Sequence, residues 1–126
     1  MLDPASCRDW VQRVKAQPEG FTAFKVGPDA LIGGVASARY AATLNGAQLQ
    51  RVARGYANLR EAAGDQIDIG IHCHNEYDTP TAIGIAKAVE PMRPMFLEDP
   101  LNVAYSEGWV ALKRSGGVPI LTGEKL

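Results

Sequence analysis

Apolar residues recur along this chain in two alternating rhythms. Between Ala5 and Gln17, Trp10, Val11 and Val14 are spaced for one face of a helix, with Ser6 placed to cap its start. Pro18-Glu19-Gly20 interrupts that pattern. Phe21 to Val26 then alternates and is rich in strand formers, which predicts a first strand ending at Lys25 or Val26. Gly27-Pro28-Asp29 reads as a turn. Residues 30–46, punctuated by Gly33-Gly34 and Asn45-Gly46, have no clean period and read as a loop or lid with one helical turn around Ala36 to Ala42. From Ala47 to Ala63 the positions Leu49, Val52, Ala53, Tyr56, Leu59 and Ala63 follow a 3.6-residue period, and Gly64 closes that helix.

The second half repeats the alternation more regularly. A strand is predicted over Ile67–His72, then a helix from Thr79-Pro80 to about Glu90, with Ala82, Ile83, Ile85, Ala86 and Val89 as its buried stripe. Pro91 and Pro94 stop it, and a strand over Met95–Glu98 follows. Ser106 to Arg114 makes a further helix with Trp109, Val110 and Leu112 inward, ended by Gly116-Gly117, and Pro119–Glu124 is the last strand. Strands alternating with helices in this way favour an all-parallel sheet.

His72, Glu98 and Glu124 lie 26 residues apart each time, and each ends one of these apolar runs. One strand and its returning helix take roughly 25–30 residues, so the spacing is that of a βα unit. Strand ends in parallel sheets and barrels converge on the face that carries active sites. Three such side chains therefore point to one shared cation. Glu98 and Glu124 suit Mg²⁺, whereas the imidazole of His72 shifts preference toward Mn²⁺, Zn²⁺ or another transition ion. His74, two residues after His72, is placed to act as a general acid on a leaving hydroxyl, or else as a second ligand or a solvated loop residue. Lys25 brings an ammonium to the same mouth, to neutralise a carboxylate or an enolate, although a surface lysine there is equally ordinary. Asp99 should face the other way unless Pro100 turns it. Asn75, Glu76, Tyr77, Asp78 and Lys125 remain ambiguous loop residues.

Composition narrows the setting. The 126 residues are 46% hydrophobic and 21% charged, as in a globular α/β domain, with a net charge of −1 that gives no long-range attraction to nucleic acid or an anionic membrane. No apolar run approaches the length of about 20 residues that a membrane span needs. Cys7 and Cys73 do not make a disulfide framework, so a reducing, cytoplasmic setting is expected. Four βα strands are half a (β/α)8 barrel, and the sequence ends two residues after Glu124. A truncated barrel is expected, with a flavodoxin-like open sheet as the alternative; exposed strand edges then predict self-association.

The segments Gly20-Phe21-Thr22-Ala23-Phe24-Lys25-Val26-Gly27, His72-Cys73-His74, Phe96-Leu97-Glu98-Asp99-Pro100 and Pro119-Ile120-Leu121-Thr122-Gly123-Glu124 together resemble the enolase superfamily. The mandelate racemase/muconate lactonizing enzyme branch is the most similar, especially its galactonate- and mannonate-type acid-sugar dehydratases. The resemblance implies that residues 1–126 are a partial C-terminal barrel domain, a parallel-strand segment of a (β/α)7β TIM-like barrel, without the capping domain and later strands. It places the family's three Mg²⁺ carboxylates on His72, Glu98 and Glu124, with His72 standing where Asp is usual. His74 matches the acid that assists loss of the 3-hydroxyl. Lys25 matches the first lysine of a Lys-x-Lys element, and Gly27 falls where a base-forming lysine would be. The implied lyase reaction removes the proton α to a carboxylate of a small sugar acid, with a metal-stabilised enediolate, and eliminates the β-hydroxyl. This chain by itself is expected to be inactive. Two other readings are a non-catalytic relative and a metal hydrolase using His72-Cys73-His74 as a zinc pair.

Overall fold

The computed structural model describes residues 1–32 and 42–125. The expected helical turn around Ala36 to Ala42 therefore lies almost wholly outside the described residues. The first helix, α1 (Pro4–Lys15), starts earlier than its apolar pattern suggests, because Asp3 rather than Ser6 is the cap. The Asp3 carboxylate accepts from the backbone N–H groups of Ala5 and Ser6 and from the Ser6 hydroxyl, while Pro4 fills a first-turn position where no N–H is needed. Strand β1 (Ala23–Val26) follows. The expected turn at Gly27-Pro28-Asp29 runs on into a single helical turn, α2 (Asp29–Ile32).

Helix α3 (Gly46–Ala63) opens with a reciprocal cap between Asn45 and Gln48 and closes at Gly64, whose φ of 69° is a conformation that side chains disfavour. Strand β2 (Asp68–His72) leads to α4 (Thr79–Val89), a 3-10 turn over Glu90–Met92 and strand β3 (Phe96–Glu98). Helix α5 (Glu107–Arg114) and the two-residue strand β4 (Ile120–Leu121) complete the order. Of the three residues expected to face inward from α5, only Leu112 is buried; Trp109 and Val110 are half-buried.

All four strands are parallel, in the order β1-β2-β3-β4. Helix α1 packs on α3, α3 on α4 and α4 on α5, so the helices follow the strands in sequence. A doubly wound, flavodoxin-like sheet would break this sequential order at a switch point. The arrangement is that of a barrel wall.

Side-chain alternation divides the sheet. Ile69, Ile71 and Leu97 point into the helical layer, where they are buried with Val11, Val52, Tyr56, Leu59, Ile85 and Val89. Each such side chain contributes roughly 1.5–3 kcal/mol when fully buried. Phe24 meets Trp10 of α1 edge to face, with ring centroids 4.7 Å apart, and the Tyr56 hydroxyl donates to the Val26 carbonyl at 2.7 Å. Thus α1 and α3 both grip the edge strand β1. The opposite alternation gives Ala23, Lys25, Gly70, His72, Phe96 and Glu98 to the other face.

Asp78 caps α4 by accepting from the Thr81 N–H at 2.8 Å and also accepts from the Thr43 hydroxyl at 2.6 Å. Desolvation pushes its carboxyl up, but the bonds from Thr43 and Thr81 outweigh it and hold the group below the ordinary carboxylate range. A group depressed in the folded state stabilises above its unfolded value and loses that contribution as pH falls through the folded value. Asp78→Ala is therefore expected to cost about 1 kcal/mol at neutral pH in urea denaturation. The gap from wild type should narrow as pH drops below the ordinary Asp value of about 3.9.

Candidate functional site

Register places the site. His72 is paired with Glu98 across β2 and β3, and Lys25 with Gly70 across β1 and β2. Because β2 is a glycine at 70, the stem of Lys25 and the ring of Phe96 share the space above it. A Cβ there would stand 2.8 Å from the Phe96 ring and 3.5 Å from Lys25 Cγ. Lys25 crosses β2 over that gap, and its Nζ donates to Glu98 Oε2 at 2.6 Å.

The same Glu98 oxygen meets His72 Nδ1 in a short hydrogen bond. An ionised carboxylate only accepts, so Nδ1 carries the hydrogen. On the far side of the ring, His72 Nε2 lies 3.5 Å from Glu124 Oε2. The order is Lys25, Glu98, His72, Glu124, with positive and negative groups interleaved. His72 and Glu98 are largely covered, at 14% and 13% side-chain exposure, while Lys25 and Glu124 are each 45% exposed. Desolvation pushes the Glu98 carboxyl up, but the bonds from Lys25 and His72 prevail and hold it below the ordinary glutamate range.

Glu124 is not on a strand. Strand β4 ends at Leu121, and Glu124 follows Gly123, whose φ of 136° favours glycine. What holds it is Asp99. This residue is fully buried with a left-handed φ of 45°, and its carboxylate accepts from the N–H groups of Gly123 at 3.1 Å and Glu124 at 3.4 Å. The chain does turn at Asp99, just before Pro100, but the sequence held no signal that the partners of its carboxylate lie beyond β4.

His74 also departs from the extended path expected of it. His74 and Asn75 both take left-handed conformations, with φ of 56° and 63°, a region where His and Asn are enriched among non-glycine residues. The turn nevertheless brings the His72 and His74 rings together edge to face, with centroids 3.8 Å apart. His74 Nδ1 lies 3.9 Å from Asp29 Oδ2, and Lys125 Nζ donates to the His74 carbonyl at 2.8 Å. The buried Asn75 donates from its side chain to the Leu101 carbonyl at 2.8 Å. Tyr77 is buried too, and its hydroxyl donates to Asp29 at 3.4 Å. Burial drives the Cys73 thiol well above its ordinary value, which leaves it inert as a nucleophile.

The five expected site residues therefore gather at one mouth. His72, Glu98 and Glu124, however, are joined to one another rather than disposed about a common point. Among the described residues, no three His, Cys, Asp or Glu side chains are arranged to hold a metal ion. As they stand, the donors do not fit a divalent cation. A hollow of about 560 Å³ lies between α1 and β1, and of the expected site residues only Lys25 lines it.

A family profile described as "Enolase C-terminal domain-like" matches residues 7–126. The chain belongs to this family. D-gluconate dehydratase of Thermoproteus tenax is 37% identical over 79 residues, which are 63% of this chain and 16% of that protein. D-galactonate dehydratase of Xanthomonas euvesicatoria pv. vesicatoria is 34% identical over 70 residues, 56% of this chain and 18% of that protein. A mandelate racemase/muconate lactonizing enzyme from Jannaschia sp. CCS1 superposes with a TM-score of 0.77 at 29% identity, covering 98% of this chain and 29% of that structure. One from Sulfitobacter sp. gives 0.78 at 26% identity, covering 99% and 30%. This enolase-family chain thus corresponds to less than a third of these barrel enzymes and less than a fifth of the two dehydratases. No helix among its described residues is long and apolar enough to cross a membrane.

Lys25 and Glu98 form the contact most readily dissected. Lys25→Met is expected to raise the Glu98 carboxyl toward its ordinary value, since it removes a donor and a positive charge. A carbon-detected NMR titration of the glutamate carboxyls reads this directly.

Proposed function

We propose that this chain supplies one side of the active-site mouth of an acid-sugar dehydratase. The observation that carries the reading is the convergence of Lys25, His72, His74, Glu98 and Glu124 from strands β1 to β3 and the turns after β2 and β4, in a family whose relatives include D-gluconate and D-galactonate dehydratases. In this reading the Lys25 ammonium holds the substrate carboxylate and opposes negative charge that develops there. His74 gives a proton to the departing β-hydroxyl, which leaves as water. His72, Glu98 and Glu124 are the residues the family resemblance assigns to a divalent cation. As they stand, joined to one another, they do not fit one.

The base that removes the α-proton is not supplied at Gly27. A Cβ at that position would stand 3.1 Å from the His72 carbonyl, so a side chain there requires the neighbouring backbone to give by a few tenths of an ångström. The chain alone is thus expected to bind a sugar acid without completing the reaction. A second reading, a relative that keeps the fold but not the chemistry, is favoured by one observation. The His72 ring stands between two carboxylates that a cation would need to share.

Titrating the chain with D-gluconate and D-galactonate while following amide shifts tests the main reading. Shifts are expected at Lys25, His72 to Asn75 and Gly123 to Lys125, and Lys25→Met should weaken binding at least about fivefold, the loss of roughly 1 kcal/mol from one charged hydrogen bond. Shifts confined to other surfaces would favour the non-catalytic relative.

Among the described residues, β1 and β4 each have one strand partner. Unpaired parallel edges are templates for further pairing, so the chain is expected to self-associate. Sedimentation velocity over a concentration series should show the mean coefficient rising, and a constant monomer value would contradict this.

A further inference from the structure

We infer that His72 and Lys25 close the Glu98–Glu124 pair to Mg²⁺, the imidazole ring filling the place between the carboxylates. This deepens the reading of these residues as a dehydratase mouth and rests on it. Three observations carry the inference. Glu98 Oε2 already accepts from both Lys25 Nζ and His72 Nδ1, so the oxygen facing the gap is taken by two donors of this chain. The opposite ring nitrogen faces Glu124 Oε2 at 3.5 Å, so the ring stands between the two acids. Asp99 fixes the backbone of Gly123 and Glu124, so that Glu124 is held on the far side of the ring.

The geometry is then decisive. Two oxygens bound to one Mg²⁺ sit at most about 4.2 Å apart, twice the ligand distance of roughly 2.1 Å. A five-membered ring with a contact at each nitrogen holds the acids farther apart than that. Mg²⁺ also demands near-octahedral oxygen ligation and gains nothing from an imidazole whose Nδ1 hydrogen is committed to Glu98. Replacing the ring by a carboxylate at the same strand position removes the obstacle and adds a third hard oxygen donor facing Glu98 across the β2–β3 register.

The test is a calorimetric titration of the full chain with MgCl2 and, separately, MnCl2. Wild type is expected to show no saturable Mg²⁺ binding up to about 10 mM, and His72→Asp to bind Mg²⁺ at least tenfold tighter than that limit, about 1.4 kcal/mol. Equal or weaker Mg²⁺ binding by folded His72→Asp overturns the inference. A readout on wild type alone guards against a variant that fails to fold. The ring signals of His72 should stay sharp in NMR spectra when Mn²⁺ is added at one equivalent. Their broadening with saturable binding, as a shared imidazole–carboxylate site requires, overturns it too. The outcome is separable from the sugar-acid reading, which is read by aldonate-induced shifts in metal-free buffer.

Discussion

Parallel pairing of β2 with β3 is the constraint on which the rest depends. It sets His72 opposite Glu98 and, through β1, brings Lys25 level with Gly70. In a pleated sheet a slip of one residue would turn every side chain to the other face. Here that would drive Ile69, Ile71 and Leu97 out of the helical layer and carry His72 and Glu98 into it. Burial of the aliphatic face therefore fixes the polar face. The polar contacts need not supply much stability themselves, and the exposed Lys25 is of the kind whose ion pairs contribute little.

Much of this was legible in the sequence because the βα unit has a nearly fixed length. The 26-residue interval between His72 and Glu98 is the chain needed to leave one strand, pass through α4 and return to the same height on the next. Side-chain period then assigned the core of α3 and α4. Boundaries were less legible. Helix α1 begins at Pro4 because Asp3 is its cap, and sequence alone does not separate Asp3 from Ser6, since either side chain is of a capping type. The last strand is two residues long rather than six: the Pro119 carbonyl still accepts from the Leu97 N–H, but beyond Leu121 the turn at Gly123 and the Asp99 contact take the backbone out of the ladder.

What sequence reasoning missed at His74, Asn75 and Asp99 is their unusual backbone. His74, Asn75 and Asp99 all occupy left-handed φ, a choice that costs of order 1–3 kcal/mol for each non-glycine residue and leaves little trace in hydrophobic pattern. Each is compensated by contacts distant in sequence. The Asn75 N–H donates to the Asp99 carbonyl at 2.6 Å, tying the loop after β2 to the loop after β3, just as the Asp99 carboxylate ties the loop after β3 to that after β4. Membership of the enolase C-terminal domain-like family was carried by short motifs at correct separation. The same motifs exposed the departure at His72.

The position of Asp99 has a mechanical consequence. It is the residue next to Glu98, and its carboxylate grips the backbone of Glu124, so the two glutamates are mounted on a single bracket rather than on two independent strands. A tilt of β3 is therefore passed on to the backbone of Glu124. Adjustment of the mouth to an incoming group falls to the part outside that bracket and open to solvent, the long arm of Lys25. The acids are the frame, and the lysine is the moving piece.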